Sequence, residues 1–146
     1  MEVNFYGNGP VSLVVLAAIQ AAGHSVRQRY TDADLHPGTR FEQQVNEDAE
    51  VLLCVHGRRI VADDVLLSHP YGGINLHPFL AKYPGASPVA RAIAAEEEWA
   101  EVTAHKMTAT VDTGPLLARA WTPMPAILPD TTERDIYEVL YPLYEE

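Results

Sequence analysis

The chain has 146 residues, which suits one domain with a substantial core, and its 47% hydrophobic and 21% charged content is that of an ordinary globular protein. Ten basic residues against 20 acidic ones leave a formal net charge of −10, which argues against nucleic acid as the principal partner because phosphate binding needs a basic footprint. No cationic leader opens the chain and no apolar run is long enough to cross a bilayer, so a cytoplasmic protein without a membrane partner is expected.

Val3 to Tyr6 reads as a first strand that runs into Gly7-Asn8-Gly9. Pro10 suits the first turn of a helix, and Val11 to Ala22 is strongly apolar and closed by Gly23. Ser25 to Tyr30 reads as a second strand with Val26, Gln28 and Tyr30 on one face. Thr31 to Gly38 is polar and punctuated, hence a loop, and Arg40 to Glu47 is expected to form a short helix. Val51 to Val55 is an unbroken apolar run, the pattern of a parallel strand covered on both faces. Cys54, the sole cysteine, lies inside it and reads as a small buried hydrophobe, which leaves no disulfide framework and no cysteine-based metal cluster.

Val61 to Leu67 is expected to be a short helix, and Gly73 to Leu76 a strand stopped by Pro78, which has no ladder donor. A helix over Pro88 to Glu97 follows, with Glu96-Glu97-Glu98 as its solvated end. Strands are expected over Glu101 to Met107 and Leu116 to Trp121, with Trp99 and Trp121 packing in the core or at its rim. A last helix, Glu133 to Tyr144, is capped by Thr131 or Thr132 and carries Ile136, Val139, Leu140 and Leu143 on its apolar stripe. This order predicts an α/β, Rossmann-like domain: an open, mostly parallel twisted sheet with helices on both faces, spanning residues 1–146. A homodimer would use an exposed sheet edge or the last helix with Tyr137, Tyr141 and Tyr144.

Asn75 and His77 are two positions apart, so on extended backbone they project from the same face, at a strand end where open α/β sheets bind ligands. An imidazole moves protons near neutral pH, and a nearby carboxylate such as Asp112 orients it. A side-chain amide can hold the oxygen that turns negative in a tetrahedral intermediate. No serine or cysteine nucleophile accompanies them, which favours direct acyl transfer to an amine over a covalent acyl-enzyme. Taken singly, Asn75 reads equally as a turn cap and Asp112 as an Asx-turn residue. The histidines His24, His36, His56 and His69 lack metal-ligand spacing, and no metal is expected.

The run from Asn75 through His77-Pro78 to Lys82-Tyr83-Pro84-Gly85 and Pro88 resembles the signature loop of the folate-dependent formyltransferases, and Val102 to Met107 and Val111-Asp112-Thr113-Gly114-Pro115 resemble the family's next two blocks. The resemblance implies formyl transfer from 10-formyltetrahydrofolate to a primary amine, with Asn75, His77 and Asp112 as the catalytic set. It places the pterin end of the donor against Arg58, Arg59, Ile60 and Val61 and against Thr108, Ala109, Thr110 and Val111. It assigns Gly7, Asn8, Gly9 and His105 to the acceptor side. Gly7-Asn8-Gly9 reads equally well as a tight strand-to-helix turn, and His105 as a half-buried structural histidine.

Acidity disfavours tRNA, and no counterpart of the extra C-terminal domain of tRNA-acting members is expected, so the acceptor implied is a small-molecule amine such as an aminosugar nucleotide. Phe79, Ala81 and Lys82 depart from the usual loop, and the Tyr30–Val51 interval is shorter than the family's. Two alternatives follow: a formyl-tetrahydrofolate hydrolase, or a shortened member that binds folate or a protein without catalysis.

Overall fold

The computed structural model describes residues 1–34 and 49–146; the helix expected over Arg40 to Glu47, the end of the loop expected to Gly38, and His36 lie outside the described residues. Six strands form one sheet: β1 (Glu2–Gly7), β2 (Ser25–Tyr30), β3 (Val51–Val55), β4 (Gly73–Pro78), β5 (Trp99–Lys106) and β6 (Leu116–Pro123), in the order β2-β1-β3-β4-β5-β6. The first four are mutually parallel, and β5 runs antiparallel to both of its neighbours.

Alternation along the strands divides the apolar side chains between two layers. Val3, Phe5, Val51 and Val55 join Val11 and Val15 of α1 (Gly9–Ala21), Val89 and Ala92 of α3 (Pro88–Ala94), and Ile136, Leu140 and Leu143 of α4 (Glu133–Glu145). Tyr6, Leu52 and Cys54 point the other way, onto Val65 and Leu66 of α2 (Asp63–Ser68). β3 is therefore buried on both faces, as its unbroken apolar run requires.

Several boundaries differ from expectation for local reasons. Pro78 ends β4 but still belongs to it: its partner is Val102 of β5, and Phe79 N–H continues the pairing to the Glu101 carbonyl at 2.9 Å. Only the donor at Pro78 is lost. α2 starts at Asp63 because Val61 and Ala62 remain extended and buried. α3 stops at Ala94, since Glu96 takes a left-handed φ of 51° and the next amides fold back onto the carbonyls of Arg91, Ile93 and Ala92. Glu97 is not a solvated helix end: it accepts from Lys82 Nζ at 2.5 Å and Tyr83 Oη at 2.6 Å.

At α4 the cap is Thr132, which exchanges reciprocal hydrogen bonds with Asp135. Its tyrosines are not an exposed patch. Tyr144 is buried, and Tyr137 and Tyr141 pack against the core. Trp99 and Trp121 are both more than half exposed, which rules out the core reading and leaves the rim. Among the described residues no helix is long and apolar enough to cross a membrane.

Candidate active site

The strand order creates the crevice. From β1 the chain crosses to β2 on one side and returns to β3 on the other, so the connections at the carboxyl ends of β1 and β3 diverge. A cavity of about 710 Å³ opens there, within the usual range for a small-molecule site. Its floor is a row of register neighbours on one sheet face: Tyr6, Cys54, Asn75 and His105. Asn75 is half-buried, and among the described residues nothing hydrogen-bonds its carboxamide.

His77 stands beside that row and is held at both ring nitrogens. Nδ1 donates to the Pro78 carbonyl at 2.7 Å, while Nε2 lies 3.1 Å from the Gly85 carbonyl and 3.4 Å from Asp112 Oδ2. The other oxygen of Asp112 is 3.6 Å from His105 Nε2. Asp112 thus bridges two imidazoles with a side chain only 7% exposed. Gly85 N–H donates to Oδ2 at 2.8 Å and fixes the carboxylate against the loop after β4.

Backbone geometry puts Asp112 there. It has a left-handed φ of 58°, a region that Asp and Asn tolerate better than most residues. At Gly114 an added Cβ would lie 1.6 Å from the Lys106 carbonyl oxygen, so only glycine lets the turn close onto β5.

The remaining expected residues divide. Arg58, Arg59, Ile60, Val61, Thr108 and Val111 line the cavity with Asn8, Gly9 and His105. Ile60 and Val111 are 53% and 56% exposed, so two of the lining side chains present open apolar surface. Ala109 and Thr110 lie in the adjoining turn and do not line it; the Thr110 carbonyl is taken by the hydroxyls of Thr108 and Thr113. Gly7 is also absent from the lining: it is buried, and a Cβ there would meet the Phe5 ring at 2.6 Å.

Asn8 spends its side chain on structure. Its amide donates to the His56 carbonyl at 2.9 Å and accepts from Asp32 N–H at 2.8 Å, tying the end of β1 to the segments that follow β3 and β2. Gly9 has open space around its missing side chain.

Other lining residues carried no local sequence signal. His56 follows β3 directly, but only the strand order reveals that this end faces the crevice. It sits edge-on to Tyr137 and Tyr144, with Nε2 3.1 Å from Tyr144 Oη. Burial pushes its imidazole down to about 4, helped by the charge at His77. His105 is also lowered, by burial first, against the opposing pull of Asp112. Burial and the bond to Asp32 raise the Tyr6 phenol, so it stays a neutral donor. Glu133 and Tyr137 enter from α4, more than 50 positions beyond His77 in the chain.

The crevice and the pairing of Asp112 with His77 accompany a family match: residues 8–142 fit the Formyl transferase family. The chain belongs to that family. The methionyl-tRNA formyltransferase of Dictyoglomus turgidum is 43% identical over 91 residues, 62% of this chain and 28% of that protein. The methionyl-tRNA formyltransferase of Ruegeria pomeroyi is 31% identical over 157 aligned residues, 86% of this chain and 52% of that protein. The chain therefore spans about half or less of the length of these two relatives.

Two solved structures share the formyl transferase fold at low identity. Glycinamide ribonucleotide transformylase 1 from Symbiobacterium toebii superposes with a TM-score of 0.70 at 17% identity, covering 99% of this chain and 82% of that one. The formyltransferase PseJ from Anoxybacillus kamchatkensis gives 0.70 at 18%, covering 99% and 71%.

Proposed function

We propose that this chain transfers a formyl group from 10-formyltetrahydrofolate to the primary amine of an acceptor by direct attack. The observation that carries the reading is the placement of Asp112 on His77 at the rim of a cavity floored by an unengaged Asn75 amide. The acceptor nitrogen bonds to the formyl carbon, and the carbon's bond to the folate nitrogen then breaks. Asn75 donates to the formyl oxygen while it carries negative charge, and in well-formed sites such a donor is worth roughly 3–4 kcal/mol. His77 takes the proton released by the attacking nitrogen and returns it to the departing one. Asp112 holds the ring in orientation and favours its charged form in between. Ile60, Val61 and Val111 flank the planar end of the donor, and Arg59 and Thr108 supply polar groups beside it. The apolar residues exposed at the cavity mouth support that fit.

Two acceptor classes have support. The net charge of −10 favours a small amine, such as an aminosugar nucleotide, and disfavours nucleic acid. A second reading takes an aminoacylated tRNA, because the relatives at 43% and 31% identity are named methionyl-tRNA formyltransferases; their names stand against the expectation of no nucleic-acid partner.

The test is single-turnover formyl transfer with 10-formyltetrahydrofolate and each acceptor class in parallel, in wild type and His77→Ala. Turnover falling by two or more orders of magnitude in the variant, at unchanged thermal midpoint, is expected. Undiminished transfer by His77→Ala would refute the mechanism, and acceptor-independent release of formate would replace transfer with hydrolysis.

A further inference from the structure

Arg58 to Val61 line the cavity from the connection between β3 and α2, outside every helix and ladder strand. A short polar network fixes them instead. β1 alternates its side chains between the two layers, so Phe5 enters one core and Tyr6 the other. The Tyr6 ring passes under Gly57, where an added Cβ would lie 2.4 Å from it, so tyrosine fills the space that a side chain would need. The phenol thereby emerges beside the next two residues. It accepts from Arg59 N–H at 3.0 Å and donates to Asp32 Oδ1. The same carboxylate oxygen accepts from Arg58 N–H at 3.3 Å.

Asp32 is itself held from two sides. It opens the short 3₁₀ helix Asp32–Asp34, which Asp34 closes by accepting from Thr31 N–H at 2.7 Å and Thr31 Oγ1 at 2.9 Å. Its own N–H is bound by Asn8 Oδ1 at 2.8 Å. The Arg58 guanidinium lies 3.9 Å from Oδ2, but it is 87% exposed and adds little. The strong contacts of this carboxylate are those to the phenol and the amide, where its charge assists the bond.

We propose that Tyr6 and Asp32 form a positioning pair that holds the Arg58–Val61 backbone in the conformation that receives the planar end of the formyl donor. Neither acts on the reacting atoms. The N–H groups of Arg58 and Arg59 are spent on the pair, so a ligand meets this stretch through other groups, among them the open side chain of Ile60. A loop that samples its binding form for only a fraction of the time weakens apparent affinity by that fraction. Losing a bond to a carboxylate is enough to shift such an equilibrium by about tenfold. The inference rests on the donor site proposed above and names two residues that it leaves unassigned.

The test titrates tetrahydrofolate by calorimetry into the full-length chain and into Tyr6→Phe, Asp32→Asn, Asp32→Ala and the double variant Tyr6→Phe/Asp32→Ala. Phenylalanine keeps the ring under Gly57 and removes only the hydroxyl. Kd is expected to rise about tenfold in Tyr6→Phe and in Asp32→Ala. Asp32→Asn, which keeps an acceptor oxygen, should recover part of that loss. The double variant should bind about as weakly as the worse single one, because both substitutions break one unit. In turnover the loss should fall on KM for the donor and not on kcat, which a general loss of structure would not produce.

An unchanged Kd in both single variants would overturn the pair, as would losses that simply add in the double variant or that fall on kcat alone. Those outcomes leave the donor site standing. Failure of the wild-type chain to bind tetrahydrofolate at about 1 mM would instead overturn the donor site, and the pair with it. Should Tyr6→Phe lower the thermal midpoint beyond use, Asp32→Ala and Asp32→Asn, at a partly exposed turn, carry the test.

Discussion

Replacing Asp112 by Asn isolates the charge of the bridging carboxylate from its shape. Asn tolerates the left-handed backbone at this position, and its amide oxygen can still accept from Gly85 N–H, so the loop after β4 should keep its place. What disappears is a negative charge 3.4 Å from His77 Nε2 and 3.6 Å from His105 Nε2. That charge faces the imidazole of His77 while it carries the transferred proton. Only the part felt at the top of the barrier slows the reaction, so a loss of about 10²- to 10³-fold in kcat is expected, within the range of general acid–base catalysis.

KM for the formyl donor should change little, because the groups flanking its planar end are untouched. The assay is steady-state formyl transfer across pH 6–9, with the thermal midpoint measured on the same samples. Retention of more than a third of wild-type kcat by Asp112→Asn would refute the idea that this charge serves the proton transfer. A collapse of the thermal midpoint would instead assign Asp112 to the architecture of the loop.

Asn75→Ala should lower kcat by about 10²- to 10³-fold without loss of stability, because among the described residues the amide has no partner to abandon; parallel activity and melting curves check both halves. Gly114→Ala should displace the Asp112 turn, since its Cβ would lie 1.6 Å from the Lys106 carbonyl oxygen, and cost roughly 3 kcal/mol or more in urea unfolding. His56 is held neutral, down to about 4, mainly by burial. As pH falls below the ordinary histidine value near 6.5, the unfolded chain takes up a proton that the native one refuses, so stability declines down to about 4. His56→Asn, suited to the φ of 55°, should flatten that decline; equal slopes in wild type and variant between pH 6.5 and 4.5 would exclude His56 as its source.

The fold was legible wherever the pattern was local and strong. Val51 to Val55, with no polar break, could only be a strand covered on both faces, and the apolar stripe of α4 behind a threonine cap fixed that helix within a residue. Boundaries set by pairing were less readable. Pro78 was expected outside its strand, yet it stays paired opposite Val102 and the ladder resumes at Phe79 N–H on the Glu101 carbonyl, so the missing donor does not end the strand. Glu97 looked solvated because its partners, Lys82 and Tyr83, come from a different loop.

The same division runs through the site. Asn75 and His77 share a face because strand geometry repeats every two residues, and that followed from the order of amino acids alone. Which distant side chains meet them was decided by the crossing of the chain from β2 to β3, which opens a crevice between strands that are not neighbours in sequence. Sheet packing brought His56, Glu133 and Tyr137 to that crevice, made Asn8 a tie from the end of β1 to the segments after β3 and β2, and left two tryptophans exposed at the rim. Such contacts depend on where whole elements lie in space, and no spacing along the chain encodes them.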